Sequence, residues 1–304
     1  MRWFKLRIIR YLQKQSQKIS LAAITDQGYI YSLPYNNYLE LVEQAKKRDI
    51  KTADLLSELI NDSLPLNEQL EELELAVPIE SPEVWAAGVT YQKSKEARNY
   101  EATNGKLDAT TFYDKVYDAE RPEIFLKSTK DRTMGPNEEL FLRSDSNWQI
   151  PEPELGLVLS SDGEIIGYTI GNDLSCRDIE GENPLYLPQA KVWARSCSIG
   201  PAILPADMVS DPYKFNIHCS IFRNEKLLFE GNANTSQLKR RYEELVHYLK
   251  RDNILFPGTV LLTGTCIVPP NEFTLADGDR VEIEISGIGI LNNVVKVQVN
   301  QAVS

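Results

Sequence analysis

Two β-prone runs, Leu155–Ser161 and Glu164–Ile170, meet at Asp162-Gly163. Asp-Gly between such runs specifies a two-residue type I′ hairpin. In that register Ser161 opposes Glu164, and continuing the ladder places Glu152 opposite Asp173. Residues two apart on a strand share a face, so Glu154 joins them. Opposed Cβ atoms on a ladder lie roughly 4.5–5.5 Å apart, where like charges repel. Two readings fit this spacing: a solvated acidic strand end, or three carboxylates converging on a cation. The second suits a hard octahedral ion, Mg²⁺ or alternatively Mn²⁺, with positions left for water and substrate. The register must hold over a long ladder, and one β-bulge would shift it. Pro151 and Pro153 cannot donate to a ladder, so the segment is expected at a sheet edge or a strand's entrance.

With 304 residues the chain has room for a large core and two unequal domains. A net charge of −11 argues against nucleic acid and anionic membranes as partners. An anionic ligand would then need local lysines, arginines or a metal. No apolar run approaches the ~18–20 residues of a membrane helix. The cysteines Cys176, Cys197, Cys219 and Cys266 are widely spaced, with no Cys-x-x-Cys pair, as in reduced cytosolic proteins. The basic start through Arg10 lacks the serine-rich extent of a transit peptide, and its Phe4, Leu6 and Ile8 alternate as a first strand would. The expected location is the cytoplasm.

Asp26-Gln-Gly28 is expected to be a three-residue hairpin loop between Ile19–Thr25 and Tyr29–Leu33. Helices are predicted over Tyr38–Lys47 and Ala53–Asn61, the second with Thr52 as N-cap. Val77–Pro82 reads as an extended, proline-spaced linker, which divides the chain into 1–78 and 79–304. Beyond it strands dominate. The clearest helix is predicted over Ser236–Arg251, with Leu238, Tyr242, Leu245 and Leu249 on one face. Gly258–Thr265 and Asp279–Ser286 read as strands. The fold class is α+β, mainly β: a small N-terminal α/β domain before a larger β-rich one.

Several segments, in order, resemble one family. Asp173-Leu-Ser-Cys-Arg-Asp178 is similar to the Asp-x-Ser-Ala-Arg-Asp segment of the fumarylacetoacetate hydrolase (FAH) family. Thr263-Gly-Thr265 and Leu275–Gly289 resemble its late loop and closing strand motif. The resemblance covers roughly 84–296 and implies a mixed β-sandwich roll, bound Mg²⁺ or Mn²⁺, a small 2-oxo acid substrate and a homodimer. Tyr117–Phe125, Ser144–Trp148 and Glu180–Lys191 look like one branch, the 2-keto-3-deoxy-sugar-acid dehydratases. By that resemblance Glu152, Glu154 and Asp173 are metal ligands, Glu123 and Lys191 the acid/base pair, and Thr265 a substrate contact. Lys127 and Arg177 are candidate partners for a substrate carboxylate, although Arg177 could instead pair with Asp178. The family's hydrolases carry a histidine in a Gly-x-Asn-Tyr-x-x-His segment; here Gly88–Ser94 puts Ser94 at that position. The chain's two histidines, His218 and His247, fall in a predicted strand and a predicted helix.

A 2-oxo acid can chelate Mg²⁺, which then stabilises the enolate formed when a C3 proton leaves. A hydroxyl at C4 would be expelled with the help of a proton donor, and no hydrolytic water is needed. Lys191 is a base only if its pKa is lowered towards neutrality; otherwise it is an ammonium that offsets charge. Glu123 in a dry pocket could supply or take the proton. The expected activity is dehydration of a 2-keto-3-deoxy-pentonate to a 2,5-dioxo acid semialdehyde. Hydrolysis of acylpyruvates or decarboxylation of a 2-oxo diacid is the alternative. Asn99–Thr111 is a polar stretch that could serve as a lid.

Overall fold

A computed structural model describes residues 5–14, 16–103 and 112–298. Most of the proposed lid segment, 104–111, lies outside the described residues. The chain opens with β1 (Arg7–Gln13), β2 (Lys18–Ile24) and β3 (Ile30–Ser32), then α1 (Tyr38–Lys47), α2 (Thr52–Asn61) and β4 (Glu74–Ala76). The β2–β3 loop has the expected three residues: Thr25 N donates to Tyr29 O at 3.0 Å, and Gly28 takes φ +86°. The first helix matches its prediction, with Asn37 as N-cap accepting from Glu40 N. In the second, Thr52 is already helical and Lys51 holds the cap position without a side-chain bond.

Next come β5 (Glu83–Gly88), α3 (Gln92–Thr103), α4 (Phe112–Asp118), β6 (Glu123–Thr129), β7 (Thr133–Met134) and β8 (Glu139–Leu142). The central segment holds β9 (Gln149–Ile150), β10 (Pro153–Leu159), β11 (Ile165–Asp173), β12 (Ser175–Cys176), α5 (Arg177–Glu182) and α6 (Leu187–Lys191). The last third carries β13 (Cys197–Pro205), β14 (Asn216–Arg223), β15 (Lys226–Asn234), α7 (Tyr242–Lys250), β16 (Val260–Leu262), β17 (Arg280–Ile285) and β18 (Gly289–Val297). The helix predicted from Ser236 starts six positions later. A single 3₁₀ turn, Thr235–Gln237, is capped by Asn234, and Lys239 N then donates to Thr90 O, which draws the chain out of helical geometry. Helix α7 starts only after Arg241, where Glu244 closes a capping box.

Two sheets stack. The larger runs β3-β2-β1-β13-β11-β10-β16-β5-β6, with β4 on β1 and β7 on β13; the smaller runs β15-β14-β17-β18-β8. Their inner faces share the main core, in which Leu155, Leu157 and Ile170 meet Ile217, Ile221, Val281 and Ile283. This is the expected sandwich. On the other face of the large sheet, α1 and α2 pack Leu41, Leu55 and Leu56 on Val158, Ile199 and Leu262. The N-terminal strands join the same sheet through Ile8 opposite Ile203.

The β10–β11 ladder keeps the expected pairing, with Pro153 opposite Asn172 and Val158 opposite Gly167, but for an unexpected reason. The turn has three residues: Ser160 N bonds Glu164 O, Gly163 N bonds Ser160 O, and Gly163 sits at φ +78°. That is a type I turn followed by a left-handed residue. Near it Leu159 pairs with Ile165, and a bulge at Ile166 supplies the compensating extra residue on β11. The two one-residue departures cancel before the ladder reaches the carboxylates. Of the two positions expected for the prolines, a sheet edge or a strand's entrance, the entrance is the one observed. Strand β10 lies inside the sheet, between β11 and β16, and Pro153 merely opens it, where a missing donor costs no ladder bond.

Candidate active site

The face of β10 and β11 that carries Val158 also carries Glu154, Asp173 at the end of β11 and, just before β10, Glu152. Asp173 N donates to Glu152 O at 3.0 Å, which continues the ladder to this pair. One oxygen from each of Glu152, Glu154 and Asp173 lies within 4.8 Å of the others, and all three residues are buried. A solvated acidic strand end is thereby ruled out. Glu154 Oε2 accepts from Gly264 N at 2.6 Å. Gly264 sits at φ +96°, and a Cβ there would meet Thr90 Oγ1 at 1.9 Å, so the Thr-Gly-Thr loop needs glycine to aim its amide at the carboxylate.

Two buried ammonium groups flank the carboxylates. Lys191 Nζ, at the end of α6, pairs with Glu152 and lies 3.7 Å from Asp173 Oδ2 and 4.0 Å from Glu180 Oε1. Lys127 Nζ lies 2.7 Å from Asp173 Oδ1 and donates to Leu174 O at 2.8 Å and to Lys191 O. Both lysines are fully buried. Lys127 was expected to bind a substrate carboxylate. Its three N–H donors are instead matched by three protein oxygens, so it braces Asp173 and the end of α6.

Electrostatics follow the burial. Burial raises the pKa of Glu154 well above its ordinary value, and Asp173 and Glu152 push it further. Burial also raises Asp173, against the opposing pull of Lys127 and Lys191. For Glu152 burial acts the same way, but Lys191 and Arg98 outweigh it and hold its pKa below the usual carboxylate range. At Lys191 burial opposes the charge, yet Asp173, Glu152 and Glu180 together hold the group as an ammonium far above its ordinary pKa. Such mutual repulsion among buried carboxylates, eased by lysines, is the donor set of a cation site.

Glu123 starts β6 opposite Gly88, the last residue of β5. A Cβ on Gly88 would stand 1.8 Å from Glu123 Oε2, so the missing side chain makes the space this carboxyl occupies. Burial raises its pKa, while Arg98 and Lys191 lower it in part. Glu123 also lines a cleft of about 380 Å³ with Arg98, Lys115, Arg121, Leu185 and Leu187.

The remaining candidates have protein partners. Arg177 does not pair with Asp178, which accepts from Ser146 Oγ and Asn147 N. Arg177 Nε instead lies 2.5 Å from Glu101 of α3, with Trp148 beneath its guanidinium. Thr265 Oγ1 exchanges hydrogen bonds with the backbone of Ile267 at 3.2 Å, the turn-stabilising task of such a hydroxyl. Ser94, at the histidine position, donates to Tyr91 O at 2.8 Å. His218 bonds Asn232 and Ser220 in β14, and His247 meets Arg251 in α7, so no imidazole serves the carboxylates.

Beside the carboxylates, sequence reading missed the buried charges Arg98, Glu101 and Glu180. Arg98 of α3 pairs with Glu180 of α5 beside the Glu101–Arg177 pair. One signal existed. Ser94, Arg98 and Glu101 recur at helical spacing, but polar residues in that pattern read as a solvated face.

The family model for the fumarylacetoacetate (FAA) hydrolase C-terminal region matches residues 94–296. The chain belongs to this family. A 2-dehydro-3-deoxy-D-arabinonate dehydratase of Saccharolobus solfataricus is 43% identical over 274 residues, 90% of this chain and 91% of its own. A probable 2-keto-3-deoxyxylonate dehydratase of Haloferax volcanii is 46% identical over 239 residues, 79% of this chain and 81% of that one. A solved 2-keto-3-deoxy-D-arabinonate dehydratase complexed with magnesium and 2,5-dioxopentanoate superposes with a TM-score of 0.80 at 37% identity, covering 96% of this chain and 98% of that one.

Proposed function

We propose that the protein is a Mg²⁺-dependent dehydratase of a 2-keto-3-deoxy sugar acid, with a pentonate as substrate and a 2,5-dioxo acid semialdehyde as product. One observation carries the reading: a buried carboxylate triad flanked by an ammonium and a half-buried carboxyl, in a chain with no histidine there to activate water. Similarity to dehydratases over most of the chain supports it.

Glu152, Glu154 and Asp173 would hold the ion. Charge balance supports the fit: three carboxylates, two ammonium groups, one divalent cation and one monoanionic substrate sum to zero. When bound, the ion supplies Lewis-acid stabilisation of the negative charge that builds on a 2-oxo oxygen as a C3 proton leaves. Lys127 keeps Asp173 in place. Gly264 N orients Glu154. Glu123 and Lys191 divide the proton work, one taking the C3 proton and the other protonating the departing C4 hydroxyl. Lys191, an ammonium among carboxylates, has a proton to give; Glu123, with its pKa raised by burial, has the more basic carboxylate to receive one. Arg177 and Thr265 would act through neighbouring residues, since each already has a protein partner. We also propose a homodimer, as the family resemblance implies, and a cytoplasmic location, which the four buried free thiols support.

Incubation with 2-keto-3-deoxy-pentonate and Mg²⁺, read by mass spectrometry, should show loss of one water. Intact pentonate beside pyruvate release from an acylpyruvate would overturn the reading in favour of a hydrolase.

A further inference from the structure

Glu180 has no task in the proposed chemistry, yet it is a buried acid, 1% exposed, set beside Lys191. Its two oxygens are used differently. Oε2 accepts from Ser175 Oγ at 2.9 Å, which anchors it to β12 next to the carboxylate segment. Oε1 faces two cations, in an ion pair with Arg98 and 4.0 Å from Lys191 Nζ. The other acids within ion-pair range of Lys191 are Glu152 and Asp173, both proposed ligands of the ion, while Glu123, whose pKa Lys191 also lowers, is its proposed partner in the proton transfer. A carboxylate oxygen drawn to a divalent cation attracts an ammonium less. Of the acids within ion-pair range, Glu180 is the one outside the proposed ligand set, so its charge stays available to Lys191 once the ion is bound.

The fold holds Glu180 firmly. Helix α3 lies against α5 closely enough that a Cβ on Gly181 would meet Glu101 O at 3.0 Å, and the Glu101–Arg177 pair ties the two helices a second time. Arg98 also lines the cleft at Glu123, so one carboxylate oxygen connects the cleft wall to the lysine.

We infer that Glu180 is a positioning residue: with one oxygen fixed by Ser175, it holds the Lys191 ammonium in its working position when Glu152 and Asp173 are engaged by the ion. The inference rests on the acid/base role proposed for Lys191. A purely structural role, docking α3 on α5, would be shared by Glu101, which makes the parallel ion pair without touching Lys191.

The test compares Glu180→Gln with Glu101→Gln. Glu180→Gln should lower kcat by about 10²-fold, the scale of an ångström's misplacement of a catalytic group. KM, and the Mg²⁺ affinity of the metal-free protein by calorimetry, should stay within about twofold. Glu180→Asp should recover part of the loss. Equal kcat losses in Glu101→Gln and Glu180→Gln, or an unchanged kcat in Glu180→Gln, would overturn the inference. Should Glu180→Gln not fold, Ser175→Ala decides: it keeps the charge but frees Oε2, and should lower kcat without raising KM; an unchanged kcat there overturns the inference. If the wild type removes no water from the pentonate, the dehydratase reading fails separately. Crystal structures of the Mg²⁺-loaded wild type and Glu180→Gln then decide the positioning, by whether Lys191 Nζ shifts in the variant or stays in place.

Discussion

Gly88 and Glu154 bring out the site's physics at the scale of single residues. Gly88 has ordinary strand geometry, so alanine there costs little backbone energy, under about 1 kcal/mol. Its Cβ, however, claims the place of Glu123 Oε2, the flexible end of a side chain that can swing aside. Gly88→Ala should therefore melt close to the wild type yet lose activity by about 10²-fold or more, the usual worth of a general acid or base. Steady-state kinetics beside a thermal melt checks both halves. At Glu154 the forces are reversed. Its charge is buried against Asp173 and Glu152 and raises its own pKa, so Glu154→Gln should stabilise the metal-free protein while weakening Mg²⁺ binding at least about tenfold. Calorimetry showing undiminished Mg²⁺ affinity would remove Glu154 from the ligand set. Glu152, Glu154 and Asp173 were legible from sequence because a ladder is a local pattern with a fixed period. Arg98, Glu101 and Glu180 were not, because their partners come from helices α3 and α5, far apart in the chain, and buried charge has no sequence signature apart from its partner.

Among the elements, the β10–β11 hairpin shows which part of a register argument is robust. The turn type was misjudged and the bulge raised as a threat to the register is present, yet the two departures cancel and Glu152 still meets Asp173. Pairing far from the turn is held by its own rungs and by packing on both faces, since a one-residue slip would turn Leu155 and Leu157 out of the sandwich core and drive Glu154 into it. Deleting Ile166 should accordingly leave Mg²⁺ affinity nearly unchanged while lowering the melting temperature. The deletion removes the carbonyl that accepts from Tyr38 Oη at 2.6 Å and a side chain that packs on the second core. Loss of Mg²⁺ binding in a folded deletion variant would show that the bulge itself aims the carboxylates. The α7 boundary teaches the converse. The apolar period at Leu238, Tyr242 and Leu245 is real, but Lys239 N finds its acceptor in Thr90, a residue no local window contains.

For the whole molecule, the raised carboxylates make stability depend on pH and on the ion. Burial pushes Glu101 up to about 8, with Arg177 opposing, and Glu123, Glu154 and Asp173 shift the same way. A carboxyl whose pKa rises on folding stabilises the folded state while protonated, and that stability drains away as pH climbs through the folded pKa. The metal-free protein should therefore lose melting temperature between about pH 5 and 8. Mg²⁺ should restore more at the upper end; saturation at a hundred times Kd contributes about 2.7 kcal/mol. Melts with Mg²⁺ or EDTA across that range check the sign, and a metal-free protein that gains stability towards pH 8 would contradict it. We retain the division at residue 78 as a proposal. Ile8 and Leu21 share a core with Val84, Val158 and Leu262, so the two segments should melt in a single calorimetric transition.

Local chemistry was enough to specify the strand-rich class, the leading hairpin, the first helix and three carboxylates on one face, because each rests on a period or turn read within a few residues. Tertiary structure alone decided that β10 lies inside its sheet, that Lys127 serves Asp173 and that Arg177 serves Glu101. It also brought Glu180 beside Lys191. These outcomes depend on which groups share a dry interior. There each donor and charge must find a partner, wherever in the chain that partner lies.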